Sequence, residues 1–126
     1  MIKVLVDRID GNPIGLDVSG HAYFDEHGKD IVCAAISVLA QTCLMALNDV
    51  AKIEDIMYSI EEETGLLTFT LPKCLSQTQR EHANVIIESI LVGIKGTHDM
   101  YPDYIRIIER EVRPNDVKNE SSTLCE

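Results

Sequence analysis

DIVCAAISVLAQTCLMAL (residues 30–47) holds one charge, at its first position, and otherwise only three side chains of marked polarity, Ser37, Gln41 and Thr42. Asp30 has the short carboxylate that accepts the unpaired backbone N–H groups of a helix start, so the spacing predicts a helix opening at Ile31 and closed by Asn48-Asp49. A helix apolar on most faces is expected to be buried between layers rather than to lie on a surface. Its apolar run, Ile31 to Leu47, is interrupted by polar residues and is short of the roughly 20 residues that span a bilayer, so it reads as a core helix.

Working outward from it, Ile2 to Asp10 reads as a strand, Gly11-Asn12-Pro13 as its turn, and Ile14 to His21 as the returning strand of a hairpin. Tyr23 to Lys29 is polar and reads as a loop. After the helix, Ile56 to Glu62 and Leu66 to Leu71 flank Glu63-Thr64-Gly65 as a second hairpin, whose end Glu61-Glu62-Glu63 reads as a solvated turn. Ser76 followed by Gln79 is a capping box, and Ala83, Ile86, Ile87, Ile90, Leu91 and Ile94 repeat at helical spacing, with Gly96 as the expected stop. Tyr104 to Val112 reads as a last strand. The order β-β-α-β-β-α-β gives an α+β fold, an α/β sandwich of about five mainly antiparallel strands with two helices. Residues 1–113 are expected to form one domain, and 114–126 a polar, flexible tail.

Composition excludes several classes. With 11 basic and 21 acidic residues the net charge is −10. That argues against nucleic acid, whose phosphates call for Lys and Arg, and suits a basic partner. No Trp and two Phe leave few rings for stacking on bases. The N-terminus lacks the apolar core of a signal peptide, so a cytoplasmic location without membrane attachment is expected, with Cys33, Cys43, Cys74 and Cys125 reduced. No C-x-x-C pair occurs, and His21, His27 and Cys33 match no recognised metal-ligand spacing, so neither metal nor cofactor is expected.

Chemistry concentrates in GHAYFDEHGKDIVCAAIS (residues 20–37). Cys33 falls in the first helical turn, where unpaired N–H groups and the helix dipole favour an anion and should lower the thiol pKa; the Asp30 carboxylate works against this. An imidazole from His21, twelve residues earlier, would complete a Cys–His pair. Backbone N–H groups near Cys33 and Ala34 are candidate oxyanion donors, and Ser37, one turn on, is a candidate supporting hydroxyl. The plainer alternatives are a small buried hydrophobe for Cys33, which suits Cys43 well, a hydrogen-bonding role for His21, and surface positions for His27, His82 and His98.

GHA (20–22) with GKDIVCAAIS (28–37), and later MYPDYIRI (100–107), resembles the ribosomal-processing cysteine protease family, Prp, over nearly the whole chain up to about Arg113. The resemblance implies a homodimeric thiol protease that removes the N-terminal extension of the large-subunit ribosomal protein bL27 during ribosome biogenesis, cutting after an apolar, Phe-rich motif. Cys33 matches the family's nucleophile and His21 its general base. Asp30 matches a motif position whose part, orienting His21 or capping the helix, is left open by the sequence. The loop Tyr23 to Lys29 matches a segment that moves or orders to admit substrate, with Asp25 and Glu26 as candidate contacts for a basic peptide. The alternative is a non-catalytic, dimeric, ribosome-associated module that holds a peptide in the same groove.

Overall fold

The structure, a computed structural model, describes residues 1–25 and 30–117. Expectations for Glu26, His27, Gly28, Lys29 and Cys125, and for the tail beyond Val117, lie outside the described residues. Within them the order is β1 (Ile2–Ile9), β2 (Asn12–Gly20), α1 (Ile31–Asp49), β3 (Met57–Ile60), β4 (Leu67–Thr70), α2 (Gln77–Met100) and β5 (Ile105–Glu111). Pro114–Asp116, at the start of the expected tail, forms a single 3-10 turn.

The strands make one sheet in the order β3-β4-β2-β1-β5. Every pairing is antiparallel except β1 with β5. Because β2 and β3 each pair antiparallel with β4, they run the same way, and a connection between parallel strands needs a crossover element. α1 is that element, and α2 does the same between β4 and β5.

Both helices pack on one face, selected by the two-residue period of the strands. Val4 lies opposite Val18 and Ile107, Val6 opposite Leu16, and Leu16 opposite Phe69, so apolar residues of four strands fall on one side. Val32, Ile36, Ala40 and Leu47 of α1 and Ala83, Ile87, Leu91 and Ile94 of α2 complete this core. The opposite face is open and polar, with Arg110 donating to Asp7 at 2.6 Å and Thr68 to Asp17 at 2.9 Å.

Three expectations are revised. The first hairpin turns at Asp10-Gly11, not at Gly11-Asn12-Pro13: both residues have positive φ (51° and 81°), the primed-turn geometry that matches strand twist, and Asn12 and Pro13 already belong to β2. α2 runs through Gly96 to Met100. Nothing crowds Gly96 and Thr97 Oγ1 bonds back to the Gly93 carbonyl, so the helix continues until Tyr101, which Pro102 forces out of the helical region. Finally, α1 is covered on one side only. By length and composition it could cross a bilayer, yet its inner face is core, while Ile31, Val38 and Met45 are 54%, 64% and 55% exposed.

Candidate active site

One end of the sheet collects the chemistry. β2 delivers His21 there and α1 begins there. The β3–β4 turn reaches the same end, because β3 runs parallel to β2. The entry to this site is set by Gly20. Its φ of +91° is left-handed, and a Cβ would overlap the Met1 carbonyl, so only glycine lets the strand end pass so close to the N-terminus. The Met1 ammonium in turn donates to the His21 carbonyl, and Ile2 N–H bonds to Tyr104 at 2.9 Å. β1 therefore ties the first residue of the chain to the histidine backbone.

Asp30 is the N-cap of α1. Its Oδ1 accepts the N–H groups of Val32 and Cys33, each at 3.0 Å, and its Oδ2 accepts Phe24 N–H at 3.1 Å. One carboxylate thus closes the helix start and holds the Phe24 backbone beside it. Phe24 is held further by edge-on contacts with Tyr101 and Tyr104, at centroid separations of 5.3 and 5.2 Å. Between His21 and Phe24, Ala22 is buried and directs its N–H at the Cys33 sulfur at 3.5 Å. The residue beside the histidine therefore touches the candidate nucleophile. Tyr23, with φ +56°, turns its ring outward, 5.5 Å from the His21 ring. A non-glycine residue in that conformation is strained, and this one sits between the two chemistry-bearing residues.

The electrostatics reverse one expectation. The Cys33 thiol is pushed up, not down: partial burial penalises the thiolate most, the Ala22 N–H offsets part of that, and the Asp30 charge adds to the rise. The N–H groups that should have lowered it are spent on Asp30 instead. The N–H groups expected to serve an oxyanion are also engaged. Ala34 N–H closes the first helical turn on the Asp30 carbonyl at 3.1 Å, and Cys33 N–H is held by Oδ1. Neither is free in this state.

Ser37 is not aimed at the sulfur. It is buried, and its hydroxyl accepts from Gln41 Nε2 at 3.0 Å, while the same amide nitrogen donates to the Gly65 carbonyl at 2.9 Å. Gly65 has φ +76°, and a Cβ there would collide with both side chains. Ser37 and Gln41 thus clamp the β3–β4 turn against α1 beside the site. The other cysteines separate cleanly. Cys43 is fully buried and its thiol is pushed up to about 12 by burial, and Cys74, expected reduced, is disulfide-bonded. Among the described residues no group of three or more His, Cys, Asp or Glu could hold a metal ion.

The sequence did not single out the Ala22 amide, the Tyr23 backbone or the Gln41–Gly65 bond. The first two sit inside the GHAY stretch, but an amide direction has no sequence signal. The third joins residues 24 apart.

Comparison with known proteins gives the family and the fold. Residues 1–106 match the family model of the cysteine protease Prp. The ribosomal processing cysteine protease Prp of Bacillus subtilis (strain 168) is 30% identical over 108 residues, covering 85% of this chain and 96% of that protein. The crystal structure of the essential ribosomal processing protease Prp from S. aureus with a covalently linked product peptide superposes with a TM-score of 0.76 at 23% identity, over 87% of this chain and all of that one. A Streptococcus mutans structure gives a TM-score of 0.73 at 25% identity, over 89% of this chain and 96% of that one. The family model and the curated relative carry the assignment and the solved structures carry the fold: the chain belongs to the ribosomal-processing cysteine protease Prp family and is a cysteine-type protease.

Proposed function

We propose that this protein removes the N-terminal extension of ribosomal protein bL27, with Cys33 as nucleophile and His21 as general base. It does so in the cytoplasm as a homodimer, without metal or cofactor. The observation that carries the reading is the Ala22 N–H on the Cys33 sulfur, which fixes the thiol against the residue next to His21.

In this mechanism the His21 imidazole takes the Cys33 proton as sulfur attacks the scissile carbonyl carbon. The C–N bond then breaks, and the imidazolium returns the proton to the leaving amine. Water, deprotonated by His21, attacks the thioester and releases the new carboxylate and the thiol. An oxyanion needs N–H donors, and Asp30 holds those at the helix start. Displacement of the Asp30 carboxylate by the entering peptide lets the Val32 and Cys33 N–H groups face the substrate oxygen. The substrate reaching the site is the natural trigger, since the Phe24 end of the loop hangs on the same carboxylate.

The test is mass spectrometry of the extended bL27 precursor after incubation with wild type, Cys33→Ala and His21→Ala. Loss of one defined N-terminal peptide with wild type alone is expected. Cleavage by Cys33→Ala refutes the assignment, and binding without cleavage by wild type moves the peptide-holding module to the front. Sedimentation of wild type reads the dimer.

A further inference from the structure

The outward side of the helix layer takes no part in the catalytic arrangement. On α1 it carries Ile31, Ala34, Val38, Thr42 and Met45, all exposed and spaced so that they fall on one side of the helix. On α2 the exposed Val85, Ser89, Val92 and Gly96 form a second stripe at the same spacing. Leu39 lies against Gly93 between the helices, so the two stripes border one continuous face.

Three observations say that a second copy of the chain covers this face. The first is charge. The chain carries a net charge of −10, and a two-fold contact sets each surface against itself, so two copies meet best where charge is absent. α1 has no charged residue from Ile31 to Asn48, and the α2 stripe has none. The open face of the sheet, by contrast, presents the Arg110–Asp7 pair and Asp17. A basic partner drawn to the acidic chain finds no carboxylate on either stripe to pair with.

The second is size. A helix as long as α1 runs about 28 Å. Two helices packed side by side are about 20 Å wide, which gives a footprint of roughly 550 Å². Accessible area exceeds a flat footprint, so the face is of the order of the roughly 800 Å² that each partner buries in a standard interface.

The third is spacing. Ile31, Val38 and Met45 are seven residues apart, the interval that keeps a seam between two helices in line. With two α1 helices antiparallel about an axis at Val38, each residue meets the one equally far beyond the axis. Val38 then meets its own copy, Ile31 meets the partner's Met45, and Ala34 meets the partner's Thr42. Every one of these pairs is uncharged, and the antiparallel helix dipoles oppose one another favourably.

We infer that the outward face of α1 and α2 is the surface on which a second copy of this chain docks, with the α1 helices antiparallel about Val38. This rests on the proposed homodimer and names its interface. Because Ile31 begins the helical turn that holds Cys33, the other subunit braces the start of the catalytic helix in each protomer.

The experiment is sedimentation of wild type, Val38→Glu, Ile31→Glu, Met45→Lys and the Ile31→Glu/Met45→Lys double variant at micromolar concentration. Circular dichroism confirms that each is folded. Wild type is expected at twice the chain mass. Each single variant should fall to once that mass, Val38→Glu because two carboxylates then meet on the axis. The double variant should return to the dimer, since each Glu at 31 then faces a Lys at 45 of the other copy. Should Val38→Glu not fold, the loss and recovery at 31 and 45 decide the question alone. A wild-type dimer that none of the single substitutions dissociates overturns the interface and leaves the homodimer standing. A monomeric wild type overturns both. Single variants that dissociate with no recovery in the double variant overturn the antiparallel pairing. If Val38→Glu stays dimeric but binds labelled bL27 precursor more weakly in fluorescence anisotropy, the face belongs to substrate and the inference falls.

Discussion

The Asp30 carboxylate accepts the backbone N–H of Cys33 at 3.0 Å, so the residue that starts the helix also holds the backbone of the candidate nucleophile. Its charge raises the thiol pKa, and its oxygen fills the N–H position that an oxyanion needs. Capping and restraint are here one interaction.

Asp30→Asn removes the charge while keeping a good cap. Because the carboxylate raises the thiol pKa, its loss lowers it, and alkylation of Cys33 by iodoacetamide at neutral pH is expected to speed up, with the midpoint of the rate–pH profile moved to lower pH. An unchanged profile refutes the electrostatic role. Asp30→Ala should also cost about 1 kcal/mol through the lost cap, read by urea unfolding.

In the wild-type protein the alkylation midpoint of Cys33 is expected above the ordinary cysteine value of about 8.5. Peptide mapping after brief alkylation should find Cys33 modified and Cys43 untouched, since Cys43 is buried with a thiol pushed up to about 12. The linked effect on stability has a definite sign. The unfolded chain loses the Cys43 proton at lower pH than the folded one, so the contribution is intact below the unfolded pKa and disappears as pH rises toward about 12. Cys43→Ala should flatten that alkaline decline. An equally steep decline in the variant excludes Cys43 as its source.

Gly20→Ala should be among the most damaging single-methyl additions. It imposes a positive φ on a residue with a Cβ and drives that Cβ into the Met1 carbonyl, at an expected cost of roughly 1–3 kcal/mol. Because His21 follows directly, the histidine's alignment should suffer with the fold. A wild-type melting temperature would show that the strand end and N-terminus are not so closely packed.

Gly65 and Gly96 make opposite predictions for the same substitution. Gly65→Ala meets Ser37 and Gln41 at a positive φ, and destabilises. Gly96→Ala sits exposed inside the C-terminal part of α2, four residues before Met100, with nothing within 4 Å, and should stabilise by roughly 0.5–1 kcal/mol through reduced backbone entropy. Urea unfolding of the two variants measures the contrast.

Most of the fold was legible because its signals are local. Asp30 caps the helix that starts beside it, Ser76 and Gln79 form the capping box their spacing prescribes, and the two-residue period of Ile2, Val4 and Val6 put them on the core face. The end of α2 was misread because Gly96 carries a weak local signal, and the actual stop depends on Pro102.

The burial of α1 was misread for a different reason. Its composition is apolar all round, yet a sheet with both helices on one face covers only one side of it, leaving Val38 and Met45 in the open. By itself the sequence determined the element order and the two caps, and it marked His21 and Cys33 as candidates, since these follow from neighbours a few positions apart and from a family signature. Tertiary structure alone decided which N–H groups at the helix start are engaged, which way the thiol pKa moves, that Gln41 holds the Gly65 turn, and that one side of α1 stays uncovered. Each of those depends on the direction of an amide or the reach of a helix across the sheet, quantities set by packing between segments distant along the chain.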